Sequence, residues 1–357
     1  MRRRVGQSPG VLVESRANPA GTAGNRHSQN PSMNLDAILD AIARKRILVI
    51  GDVMLDKYVW GDASRLSPEA PVPVVRVDRE TAVAGGAANV AFNLAALGAR
   101  ADLFGWVGED EDGRRLRSLL EGGRVELLAG AVSPSVPTIV KTRVVCRRQQ
   151  VCRLDREAEP SAYALTAADL RDTLAPAAAR ADAILLSDYG KGLLSPETVR
   201  GVLALPGRPA IVTLDPKPRA GVDYSGVALM TPNRAEALRL AGIDDAPGPF
   251  PAEAVCAAIH ERFAPTRLVI TLGPDGMLLS EGGRPLERIP TFAREGFDVS
   301  GAGDTVIAAL TLAIAAGFPL PDAARFANVA AGVVVGKLGT AVATPAEIRA
   351  YAASVGA

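Results

Sequence analysis

Aromatic side chains are scarce in this 357-residue chain, at 4% of the total, and so are histidine, with two residues, and cysteine, with three. So few rings argue against a platform for stacking nucleic-acid bases. Cys146, Cys152 and Cys256 form no C-x-x-C pair, which argues against a zinc site or a disulfide framework and points to a reducing, cytoplasmic setting. Cys146 and Cys152 are read as small hydrophobes on one face of a single strand. An excess of one charge is missing too. The 40 lysines and arginines meet 39 acids, a net of +1, and no nucleic-acid partner is expected. No apolar run reaches the ~18 residues needed to span a bilayer, so no membrane partner is expected either.

What is present is a chain 48% hydrophobic, dominated by alanine, glycine and valine, the small residues that let helices pack closely on a parallel sheet. Residues 1–32 differ: they are rich in Arg, Ser, Asn, Pro and Gly and lack an apolar core run, so they read as a disordered tail without a secretory signal. Met33 stands just before the first helical pattern and is an alternative translation start. Residues 33–357 read as one domain.

Short apolar runs alternate with helical patterns. Strands are expected at Arg46–Ile50, Ala101–Val107, Ala183–Ser187, Ala210–Leu214, Val227–Met230 and Leu268–Thr271. Helices are expected at Gly86–Leu97, Asp110–Leu120, Pro196–Ala204, Arg234–Ala241 and Ala252–Phe263. This βαβ rhythm predicts an α/β fold with a mostly parallel sheet and helices on both faces. Two stretches break it, Val72–Val77 and the cation-loaded Thr138–Leu154, and together they predict a small β lid from about 57–78 and 136–155. A lid that closes over a site excludes water. Its exposed edges would favour a homodimer.

The most informative segment is Asp298-Val299-Ser300-Gly301-Ala302-Gly303-Asp304, which runs into an apolar helix expected at Thr305–Phe318. The glycines turn the backbone tightly, and the amides of Gly301, Ala302 and Gly303 meet the positive end of the helix dipole in an anion hole. Asp304 at the rim suits a base that takes the proton of an attacking hydroxyl. Alone, the segment is equally compatible with an ordinary Gly-rich loop. Gly85 and Gly86 open another helix, with Asn89 one turn in and able to bind a hydroxyl. Asp52 and Asp56 follow the first strand, where open α/β sheets bind ligands and carboxylates can hold sugar hydroxyls. For each pair a tight or solvated turn is the plainer alternative.

An early GG-x-x-x-N and a late D-x-x-G-A-G-D, in order over residues ~46–350, resemble the ribokinase-like (PfkB) carbohydrate kinases. The resemblance implies a three-layer αβα sandwich and ATP-dependent phosphoryl transfer to a sugar, with Asp304 as base. It implies that Asn233 and Glu236, an N-x-x-E motif, organise magnesium through water. Thr271, Gly273, Gly276 and Asn328 would lie on the nucleotide side, and Asp298 and Ser300 near a monovalent cation such as potassium. Gly51–Asp56, the stretch from Ser64 to Val74, the segment from Leu186 to Gly192, Asp215-Pro216-Lys217 and Ala330–Thr340 resemble more narrowly the heptose 7-phosphate kinases of lipopolysaccharide core synthesis. That group phosphorylates O1 of D-glycero-D-manno-heptose 7-phosphate and is often fused to a nucleotidylyltransferase. Neither histidine lies beyond residue 260, so a stand-alone kinase or a kinase half is expected.

A substrate that already carries phosphate needs cations. Lys141, Arg143 and Arg153 of the lid, with Lys191 and Lys217 at strand ends, are the candidates, and Asp188 joins Asp52, Asp56, Gly85, Gly86 and Asn89 in holding the sugar. Arg147 and Arg148 fit a solvated turn at least as well. The alternatives are another PfkB kinase, for fructose, fructose 6-phosphate or a nucleoside, or a silent sugar- or nucleotide-binding regulator.

Overall fold

The computed structural model describes residues 33–147, 149–292, 301–337 and 340–356. In chain order its first half holds α1 (Leu35–Ile42), β1 (Arg46–Gly51), β2 (Val53–Leu66), β3 (Pro73–Gly86), α2 (Ala87–Ala96), β4 (Arg100–Phe104) and β5 (Val107–Gly108). It continues with α3 (Glu111–Gly122), β6 (Val125–Leu127), β7 (Val132–Ser133), β8 (Ile139–Cys146) and β9 (Gln149–Arg156). The second half holds α4 (Ala175–Ala179), β10 (Ala183–Ser187), α5 (Pro196–Leu203), β11 (Val212–Asp215), β12 (Leu229–Met230), α6 (Arg234–Ala241) and α7 (Ala252–Phe263). Last come β13 (Arg267–Thr271), β14 (Met277–Glu281), β15 (Arg284–Ile289), α8 (Ala302–Ala315), α9 (Leu320–Val335) and α10 (Pro345–Val355).

Among the described residues the main sheet has nine strands in the order β15-β14-β13-β12-β11-β10-β1-β4-β6. Its pairings are parallel except β13–β14 and β14–β15. Alternate side chains feed two cores. Ile47 and Val49 of β1 pack with α1, α2, α8 and α9, whereas Leu48 and Ile50 pack with α4 to α7 on the other face. A strand buried on both faces is therefore continuously apolar. Helix α8 is buried from Asp304 to Ile314, as an all-apolar helix requires.

The strand order reverses beside β1: the chain first moves outward through β4 and β6, then restarts at β10 on the opposite side. Ligands of open α/β sheets bind outside the carboxyl ends of strands at such a reversal. Asp52, Asp188 and Asp215 all sit at those ends.

A second sheet, β3-β2-β8-β9, forms the small lid. The stretch Thr138–Leu154, expected as one strand-like run, is a hairpin. Arg147 turns the chain with a left-handed φ of 48°. Cys146 and Cys152 therefore stand on different strands, opposite Gln149 and Val144, which corrects the single-strand placement. The expected strand Ala101–Val107 is broken at Gly105, where a Cβ would meet the Gly51 carbonyl at 2.3 Å. Among the described residues no helix is long and apolar enough to cross a membrane.

Candidate active site

Gly301 precedes helix α8 with a left-handed φ of 79° and gives no side-chain cap, and Gly301, Gly303 and Asp304 line the crevice. Asp304 lies within that turn rather than before it, and it is buried. Its carboxylate accepts from Asn89 Nδ2 and from the Tyr189 hydroxyl, each at 2.6 Å. Burial raises its pKa to about 6, partly opposed by those two hydrogen bonds. A carboxylate poised there can take a proton near neutral pH.

The loop after β10 is held from β1. Asp52 accepts from the backbone amides of Tyr189, Lys191 and Leu193 at 2.9, 3.0 and 3.3 Å, and burial raises its pKa. Asp188 accepts from Arg219, the Tyr224 hydroxyl and the Gly190 amide at 2.6, 2.7 and 2.8 Å. Both carboxylates were expected to hold sugar. In the structure they also shape the loop that carries Tyr189 and Lys191, each accepting three hydrogen bonds from protein donors.

The lid brings Asp56 to the site. A Cβ on Gly85 would lie 2.0 Å from Asp56 Oδ2, and Gly86 turns into α2 with a φ of 60°, so the paired glycines make room for this carboxylate. Arg143 bonds Asp56 Oδ1 at 2.5 Å and lies over the Tyr58 ring. Arg153 is exposed and bidentate to Asp155. Lys191 bonds Glu157 at 2.7 Å. The Lys141 ammonium lies 5.8 Å from the centre of the Tyr189 ring, and burial, then the like charge of Lys191, lowers its pKa.

On the other side of Asp304, Asn233 and Glu236 form a reciprocal capping box on α6, and Lys217 bonds Glu236 at 3.1 Å. These residues, with Asp215, Thr271 and Gly303, line a cavity of about 200 Å³ that reaches Asp304. Burial, then the charges of Asp304 and Glu236, push Asp215 well above the usual carboxylate range. Carboxylates crowded in this way fit a cation that would relieve their repulsion. Among the described residues no three His, Cys, Asp or Glu side chains converge closely enough to grip a metal directly. Gly273 and Gly276 take φ of 60° and 83° in the turn before β14. Asn328, expected on the nucleotide side, is buried, and it anchors backbone by donating to Pro290 O and accepting from Phe292 N. Asp298, Ser300 and Arg148 lie outside the described residues. A larger hollow of about 470 Å³ beside Asn89 is walled mostly by apolar residues of β3, α2 and the end of α3.

Two residues escaped the sequence reading. Tyr189 stands inside a motif quoted for its neighbours, and its contact with Asp304 spans 115 positions. Asp215 precedes Lys217 at a strand's carboxyl end, a placement that could have flagged it.

A model of the pfkB family carbohydrate kinases matches residues 44–347. The bifunctional protein HldE of Caulobacter vibrioides is 45% identical over 321 residues, covering 88% of this chain and 65% of its own length. The bifunctional protein HldE of Geobacter sulfurreducens is 44% identical, with 88% and 64% covered. The chain thus spans just under two thirds of these relatives. Arabidopsis thaliana ribokinase complexed with ribose and ATP superposes with a TM-score of 0.67 at 22% identity, covering 86% of this chain and 98% of its own. Escherichia coli phosphofructokinase-2 in complex with potassium gives 0.70 at 20%, with 88% and 100% covered. At those identities the likeness carries the fold alone. By its sequence over most of its length, the chain belongs to the pfkB family of carbohydrate kinases, phosphotransferases with an alcohol group as acceptor.

Proposed function

We propose that this kinase transfers the γ-phosphoryl group of ATP to O1 of D-glycero-D-manno-heptose 7-phosphate, giving the 1,7-bisphosphate used in lipopolysaccharide core precursor synthesis. The observation that carries the transfer step is Asp304, buried in the first turn of the uncapped helix α8. The sugar assignment rests on the likeness to the HldE proteins and on the cations around Asp56.

The acceptor hydroxyl gives its proton to Asp304 as its oxygen bonds to the γ-phosphorus, and the bond to the departing ADP oxygen breaks in line. Amides of Gly301, Ala302 and Gly303 stabilise the charge on the transferring group. Asn89 and Asp56 orient the sugar. Asn233, Glu236 and Asp215 would hold magnesium through water, and Thr271, Gly273 and Gly276 line the nucleotide side. The metal, when bound, neutralises phosphate charge. A monovalent cation such as potassium beside Asp298 and Ser300, a cytoplasmic location and a homodimer through the lid belong to the same reading.

The test is a phosphoryl-acceptor screen of heptose 7-phosphate, fructose 6-phosphate, ribose and adenosine with MgATP. Heptose 7-phosphate should give the highest kcat/KM. A stronger response to any other acceptor overturns the substrate assignment.

A further inference from the structure

The cations near the acceptor side are not equivalent. Arg143 is paired with Asp56, Arg153 with Asp155, Lys191 with Glu157 and Lys217 with Glu236. Lys141 alone among these five has no carboxylate partner. It is half-buried on β8, directly opposite Asp56 on β2 and Asp155 on β9, so all three point to one face of the lid. That face looks onto the Tyr189 ring. Four acids thus pair with four of these five cations, and Lys141 is the one left over.

A partly desolvated lysine without an ion-pair partner is unfavourable until an anion arrives, and burial lowers its pKa from the ordinary value for the same reason. We propose that Lys141 anchors the phosphate that the acceptor already carries, and that Tyr189 sets the span between this phosphate and the hydroxyl delivered to Asp304. The assignment rests on the kinase reading above and deepens it. The Tyr189 hydroxyl bonds Asp304 at 2.6 Å, and its ring centre lies 5.8 Å from Lys141 Nζ. With ordinary bond lengths across the ring, ammonium and carboxylate stand at most about 11 Å apart. A sugar phosphorylated on the carbon farthest from its reacting hydroxyl bridges such a gap. Lys191 lies close enough to lower the pKa of Lys141 and becomes a second contact if the ligand draws it from Glu157.

The experiment compares kcat/KM for heptose 7-phosphate and for the same heptose without phosphate in wild type, K141M, K141R and R143M, each checked for an unchanged melting temperature. In K141M the preference for the phosphorylated sugar should fall about ten- to a hundredfold, the worth of a charge-assisted hydrogen bond. K141R should restore most of it. R143M, which frees Asp56, should lower both acceptors by a similar factor and leave the ratio near that of wild type. A wild-type preference that survives in K141M overturns the assignment alone. Wild type that phosphorylates neither sugar overturns the heptose 7-phosphate reading, and the assignment with it.

Discussion

Both oxygens of Asp304 are held by donors, and the effects of changing this residue follow from that arrangement. Asp304→Asn can keep both contacts, because the new carbonyl accepts from Asn89 while the Tyr189 hydroxyl turns to accept from the new amide. Turnover should fall by roughly 10²–10⁴, the usual worth of a general base, with nucleotide affinity unchanged in a titration. The pH dependence has a definite sign. The carboxyl titrates at about 6 in the fold against an ordinary 3.8, so folding favours its protonated form. Its burial therefore costs stability that grows as pH rises from about 4 and is complete above about 6. Above that point Asp304→Asn should melt at a higher temperature than wild type, by the equivalent of roughly 3 kcal/mol at most, and the two should converge near pH 4. Turnover in wild type should rise with pH through about 6. Tyr189→Phe removes a hydrogen bond that lowers the Asp304 pKa, so it should move that acid limb to higher pH; a limb that stays in place would separate Tyr189 from the base.

At the scale of elements, α6 shows how one motif can serve two purposes. Asn233 and Glu236 complete each other's hydrogen bonds at the helix start while facing the cavity beside Asp215. Glu236→Gln keeps an oxygen for the Asn233 amide, so unfolding should change little, whereas the magnesium concentration for half-maximal rate should rise. Unchanged metal dependence with weaker sugar binding would reverse the placement. Asn233→Ala should cost about 1 kcal/mol in denaturant unfolding through loss of the cap. The main sheet was legible because β1, β10 and β13 are buried on both faces and read as apolar runs, and α6 and α7 were legible to the residue. Strand β2 was hidden because Lys57 to Ala63 are only half-buried and their composition is mixed. The hairpin between β8 and β9 was hidden because arginine, not glycine or asparagine, takes the left-handed position. For the site, sequence separated acids from apolar residues but not a carboxylate met by a side chain, such as Asp56, from one held by backbone amides, such as Asp52. That difference depends on which amides come near, and so on contacts more than a hundred positions away.

For the whole molecule, the lid carries most of the large apolar side chains that remain exposed among the described residues: Leu66, Val72, Val77, Val151 and Leu154. A sheet with such a surface is a liability unless another surface covers it. Sedimentation should give a dimer for the wild type, and Val77→Glu with Leu154→Glu should shift it toward monomer; a wild type monomeric at all concentrations removes the lid as an interface. A chain starting at Met33 should keep both melting temperature and turnover, since residues 1–32 have too little apolar surface to offset the entropy of ordering. Asp52 has a consequence for motion. It ties the segment carrying Tyr189 and Lys191 to the end of the first strand by three backbone-amide hydrogen bonds. The loop is thereby fixed to β1, and it should move least among the walls around Asp304. Hydrogen exchange should find the amides of Tyr189, Lys191 and Leu193 among the slowest in the site, and those of β9 among the fastest.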